Sequence, residues 1–157
     1  MAFVALQTLA NPEEVRRQLQ NEFNKSLRAH ESTEALVRRI QHVADVSQSR
    51  AETIAQTEKT RASNAERYAQ AIDEYLQQYR RAVQYHRKRP ALPVIQWINP
   101  RTAKEPRPHH VAISGSRRAV GQPFLPGLRY PGDPDAPASE TINCHCYIRR
   151  YRQADER

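Results

Sequence analysis

Apolar positions along the chain follow one rhythm up to residue 89 and another beyond it. Residues 13 to 89 contain neither proline nor glycine and are rich in Ala, Gln, Glu and Arg, a composition that favours helix. Val15, Leu19, Phe23 and Leu27 recur every four residues and mark one face of a first helix. Asn11 suits its N-cap, Pro12 its first helical position, and Glu13 and Glu14 oppose the positive end of the helix dipole. Ser32 or Thr33 caps a second, shorter helix that carries Leu36, Ile40 and Val43. A break near Ser47 to Ser49 separates it from a long third helix over about residues 49 to 88. On that helix Ala65, Ala69, Ile72, Leu76, Tyr79 and Val83 alternate spacings of four and three, an a/d seam. The seam packs either on the chain's own neighbours or on a second copy, so self-association through the long helix stays open.

Beyond Arg89 the rhythm shortens. Pro90 and Pro93 stop the helix, and Val94-Ile95-Gln96-Trp97-Ile98 predicts a short strand. His110-Val111-Ala112-Ile113 is a second candidate strand, with Gly115 as a turn. Residues 121 to 138 are dense in proline and glycine and predict an irregular, well-fixed loop. From Thr141 to Tyr151 the pattern alternates: Ile142, Cys144, Cys146 and Ile148 on one face, Asn143, His145, Tyr147 and Arg149 on the other. The expected fold class is α+β. A helical region of about three helices over 1–89 precedes a small Pro/Gly-rich β-containing module over 90–157.

Composition narrows the class. The chain has 157 residues, 38% of them hydrophobic, and its 25 Lys and Arg exceed its 17 Asp and Glu to give a charge of +8. No apolar run reaches the roughly 18 residues a membrane span requires. Two cysteines cannot build a disulfide framework. Arg80, Arg81, Arg87, Lys88 and Arg89 close the long helix without an acid among them. They suit the negative end of its dipole and also make a candidate contact with nucleic-acid phosphate.

Candidate chemistry gathers in the C-terminal module. Residues two apart on a strand point the same way, so Cys144 and Cys146 can chelate one ion. His110 and Asp133 are the candidate partners, and the expected cofactor is one zinc ion. The alternative is that both thiols serve as small core hydrophobes beside Ile142 and Ile148. His109 and His145 alternate away from these positions. A polar stripe of Arg50, Thr57, Glu58, Arg61 and Asn64 on the long helix is expected to dock the module through hydrogen bonds. No nucleophile–base pair, Walker loop, nucleotide fingerprint or HExxH is evident, so no catalytic residue is assigned.

The ordered motifs carry a resemblance. Arg50-Ala-Glu-Thr-Ile-Ala-Gln-Thr-Glu58-Lys-Thr-Arg-Ala-Ser-Asn64 is followed by Trp97, Arg107-Pro-His-His110, Gly115, Val120-Gly-Gln-Pro-Phe124, Gly127-Leu-Arg-Tyr-Pro-Gly-Asp-Pro134 and Asn143-Cys-His-Cys146. Over roughly residues 47 to 148 this series resembles the phage Mu F-like minor head proteins of the phage head morphogenesis family. Carried over by position, the family's histidine falls on His110, its acidic turn on Asp133 and its cysteine pair on Cys144 and Cys146. His145 stands where the family usually has Arg. The resemblance implies a non-enzymatic minor capsid protein of a tailed phage or prophage that acts in head assembly near the portal. Portal and capsid proteins would be its partners, with packaged DNA as a further contact, in the virion and, during assembly, in the host cytoplasm. Family domains also occur joined to toxin modules. A nuclease or other hydrolase using the His, Arg, Asp and Cys cluster, or a sequence-independent DNA-binding protein, are the alternatives.

Overall fold

The computed structural model describes residues 12–103 and 105–151; the Asn11 cap and the apolar opening stretch lie outside them. The chain is α+β, as its patterning predicts. Three helices come first: α1 (Pro12–Arg28), α2 (Thr33–Ala44) and α3 (Gln48–Gln84). Ser32 caps α2 by accepting from the Ala35 N–H, and Asp45 closes it in the left-handed region, at φ 46°. Ser47 then caps α3, so the break expected near Ser47 to Ser49 falls at residues 45–47. Leu19, Phe23, Leu36 and Ile40 bury fully against Ala51, Ile54 and Ala55 of α3, with Val15 and Val43 packed at the margin. Each large aliphatic or aromatic side chain so buried stabilises by about 1.5–3 kcal/mol. Leu27, the last position of the first stripe, stays 42% exposed.

α3 has 37 residues and spans about 55 Å. It ends earlier than its composition suggests. Tyr85 caps it, and His86 turns left-handed at φ 50°, so Arg87, Lys88 and Arg89 lie beyond the helix. The predicted seam is also out of phase with the face that packs. Asn64, Ala71 and Ala82 are buried, whereas Leu76 is 40% and Val83 55% exposed. The second core accounts for this shift, because it meets α3 through Ala65, Tyr68 and Ala71.

A three-stranded antiparallel sheet follows, in the order β2 (Arg117–Ala119), β1 (Val94–Ile98), β3 (Tyr147–Tyr151). The strand expected at 94–98 is β1. The strand expected at 110–113 is instead a short helix, α4 (Pro108–Ala112). Pro108 presets the first helical φ, and the Val111 and Ile113 N–H groups close onto the carbonyls of Arg107 and His109. The chain then turns at Gly115, where φ is +87°, and β2 forms after it.

The last alternating run is a strand only from Tyr147. Before it, α5 (Ala138–Thr141) ends and Asn143 adopts φ 52°. β1 offers no partner beyond the Ile98–Tyr147 pair, so residues 144–146 have no ladder to join. The alternation itself survives: Cys144, Cys146 and Ile148 face inward and join Ile95, Trp97, Phe124, Leu128 and Tyr130 in the second core.

Candidate metal centre

The segment before β3 is held by side chains of α3 instead of by a neighbouring strand. Thr57, Thr60 and Asn64 follow one another at helical spacing along one face. The Asn143 N–H donates to Thr57 Oγ1 (2.9 Å), and Thr60 Oγ1 donates to the Cys144 carbonyl (2.7 Å). Asn64 Nδ2 donates to the Cys146 carbonyl (3.1 Å), while its Oδ1 accepts the Ile148 N–H (2.9 Å). Thr57 and Asn64 thus do the docking expected of the stripe, but through uncharged hydrogen bonds. Thr60 belongs to the same set and falls outside the expected stripe, because its partner, the Cys144 carbonyl, lies 84 residues away.

The charged members of the stripe sit elsewhere. Arg61 and Glu58 pair at 3.5 Å, and burial of the Glu58 carboxyl raises its pKa against the pull of Arg61. Gly132 rests directly on Arg61: a Cβ there would lie 2.8 Å from the Arg61 Cα, and its φ is +80°. Only glycine meets both conditions. Arg50 lies exposed in the first turn of α3.

Two backbone tethers therefore present Cys144 and Cys146 inward, and α4 brings His110 to meet them. His110 Nδ1 lies 3.7 Å from each sulfur. All three residues are buried, and their ligand atoms lie within 4.8 Å of one another, close enough to hold a metal ion. The other ring nitrogen, Nε2, is 2.8 Å from Glu140 Oε2, which also receives His109 Nε2 at 2.8 Å. Burial pushes Glu140 upward, but the hydrogen bonds from His109 and His110 outweigh it and hold the carboxyl below its usual value. An ionised carboxylate only accepts, so His110 donates its Nε2–H to Glu140 and turns its Nδ1 edge toward the sulfurs.

The neighbouring Cys146 thiol brings the Cys144 pKa down to about 5 against the opposing effect of burial, with His110 assisting, while Cys144 and burial push Cys146 up. The Trp97 ring stands edge-on to His110 at 5.1 Å, and its buried indole N–H finds no hydrogen-bond acceptor.

Asp133 does not join this group. Its carboxylate accepts from Arg129 N (3.0 Å), Nε (2.8 Å) and Nη2 (2.9 Å) and from the Asp135 N–H (3.1 Å). Burial raises the Asp133 pKa, and these bonds more than offset it, leaving the carboxyl below its ordinary value. The acid secures the Pro/Gly-rich loop; a buried carboxylate so fully engaged has no free lone pair directed at the sulfurs. Among the described residues, no fourth His, Cys, Asp or Glu completes the trio. Arg107 clamps the end of α5, donating to the carbonyls of Ser139 (2.6 Å) and Ile142 (2.7 Å). Glu140 carried a legible trace in the sequence, an acid four residues before the first cysteine, but nothing there linked it to His110. His145 turns away, with Nδ1 3.3 Å from Thr102 Oγ1.

The basic cluster lies around the far end of α3. Arg80 and Arg81 are exposed, Arg87 lies over the Tyr85 ring at 5.8 Å, and Arg89 lies over Tyr79 at 5.5 Å. Arg81, Arg87 and Lys88 border a shallow hollow of about 260 Å³. No helix among the described residues is long and apolar enough to cross a membrane. No family model, curated protein or solved structure matches the chain.

Proposed function

We propose that this chain is a minor head protein of a tailed bacteriophage or prophage, acting in head morphogenesis near the portal. In this reading its C-terminal module is stapled by one zinc ion on His110, Cys144 and Cys146. The ordered motifs from Arg50 to Cys146 support the phage assignment, with portal and capsid proteins as partners and packaged DNA as a further contact. A structural, non-enzymatic role for the cluster rests on one observation: Cys144 and Cys146 are 1% and 4% exposed, buried in the second core.

The donor set suits zinc. Zinc–sulfur bonds of about 2.3 Å and zinc–nitrogen bonds of about 2.0–2.1 Å at tetrahedral angles place sulfur and nitrogen about 3.6 Å apart. The observed separations are 3.7 Å. Two thiolates and an imidazole are soft to borderline ligands, and the Glu140–His110 bond is the usual outer support of a metal-bound histidine. The Trp97 indole N–H is an unpaired buried donor in the same core. When bound, zinc supplies folding free energy to a module too small to depend on its apolar core alone.

A second reading draws on the same atoms. Cys144, His110 and Glu140 line up as nucleophile, base and orienting carboxylate, the arrangement of a thiol hydrolase. One experiment separates the two. Native mass spectrometry of the reduced chain is expected to show one zinc per chain, lost to a chelator together with the compact charge states. A compact, metal-free chain whose Cys144 is alkylated rapidly under native conditions would overturn the staple and favour the hydrolase. Co-purification with portal or capsid protein from infected cells tests the assembly role; absence from both particles and assembly intermediates would sink it.

A further inference from the structure

A cleft of about 760 Å³ opens between the α1–α2 turn, the middle of α3 and the start of β3. Its size is that of a small-ligand pocket. Arg28, Lys59 and Arg67 line it, against one acid in its wall, Glu66; Glu34 lies near Lys59 outside the wall. Lys59 is held by an uncharged partner, donating to Thr33 Oγ1 at 2.8 Å. Arg67 is placed over the Tyr147 ring at 5.5 Å, and that ring is 36% exposed at the mouth. Two residues further along the same face of β3, Arg149 donates to Gln96 Oε1 at 2.8 Å, again a neutral partner. Lys59, Arg67 and Arg149 are thus positioned without being neutralised.

We propose that this cleft and the adjoining face of β3 bind single-stranded nucleic acid, with phosphates at Arg28, Lys59 and Arg149 and a base stacked at the Tyr147–Arg67 pair. Three arguments select this partner. Cations held by neutral groups keep their charge for a ligand and lose little freedom on binding it. An exposed tyrosine beside an arginine offers the sequence-tolerant stacking surface that every base can use, which an acidic peptide cannot. A concave cleft admits one strand, whereas duplex DNA is read by convex elements that enter its own grooves. Cys146 lies in the cleft wall, but the groups assigned to the strand include none of the metal ligands and lie far along α3 from the cluster at residues 80–89, so the proposal does not rest on the assembly reading.

The test is fluorescence anisotropy of the full-length chain with a labelled oligothymidylate, alongside a duplex, free thymidine monophosphate and polyglutamate as competitors. The strand is expected to bind in preference to all three, with log K falling against log salt at a slope of about −2, the value for some three phosphates. Lys59→Gln combined with Arg67→Gln should weaken binding about tenfold or more, and Tyr147→Leu by about five- to tenfold. Arg80→Gln with Arg81→Gln and Lys88→Gln should change it less than about threefold, because diffuse charge is not the site. Photocrosslinking of a bromouracil-substituted strand to the wild-type chain should label the peptide containing Tyr147, which keeps the test decisive if a variant misfolds. Equal binding of duplex or polyglutamate, crosslinks at Tyr79 or Tyr85, or a larger loss in the residue-80 variant would overturn the proposal.

Discussion

The two cores of this molecule are built by different rules. The first, between α1, α2 and the start of α3, is made of buried hydrocarbon: Leu19, Phe23, Leu36, Val37, Ile40, Ile54 and small alanines. The second mixes Trp97, Phe124, Leu128 and Ile148 with two thiols, and His110, Asn64, Thr60 and Asp133 are buried with it. Apolar contact is non-directional, so the first core depends on total volume and tolerates repacking. Buried polar groups cost free energy unless each finds its partner, so the second depends on particular atoms. One core is specified by periodicity, the other by addresses.

The largest expected effect lies in the first core. Leu36→Ala should cost about 3–4 kcal/mol, within the range for fully buried leucine. Trp97 is the chain's single tryptophan and sits in the second core, so its fluorescence reports the module while far-UV circular dichroism reports the helices. In urea, the variant should lose its helical signal before its Trp97 signal. Transitions that stay superimposed would mean that the two cores unfold as one, and the contrast between them would fall.

Asp133→Asn comes next. It should cost about 2–3 kcal/mol at neutral pH, less than a fully buried pair because Arg129 is 37% exposed. The folded carboxyl lies below its reference value of 3.8, so its contribution is complete above that value and is lost as pH falls through the folded pKa. Thermal melts should therefore show the gap between wild type and variant narrowing below about pH 4. A gap that persists unchanged to pH 2 would assign the loss to packing of the loop and not to the ion pair. The smallest effect is expected on the exposed seam: Leu76→Glu should shift stability by no more than about 0.5 kcal/mol. A larger, concentration-dependent loss would show that a second copy covers Leu76.

Legibility divides along the same line. Stripes, caps and the proline boundary exposed the three helices and β1, because periodicity is a property of sequence alone. The seam was read one face away from the packed one, since alanines at 65, 69 and 71 leave several faces equally plausible. His110-Val111-Ala112-Ile113 looked like a strand because four residues are too few to separate the two periods, and Pro108 outside the window decided for helix. Cys144, Cys146 and His110 were legible as a group, as was the stripe that holds them. Asp133 stands apart from that group, on Arg129, and the sequence carries no mark of the roles of Glu140 and Thr60. Their partners lie 30 and 84 residues away, and such pairings are properties of the folded chain.

Those separations have a consequence for the order of events during synthesis. The helices that form the first core are complete once residue 84 has left the ribosome. Thr57, Thr60 and Asn64 then wait without their long-range partners until residues 143 to 148 have been made. At about 5–20 residues per second that interval lasts several seconds. During it α3 stands as a preformed template, and the last-made segment of the module folds by settling onto it.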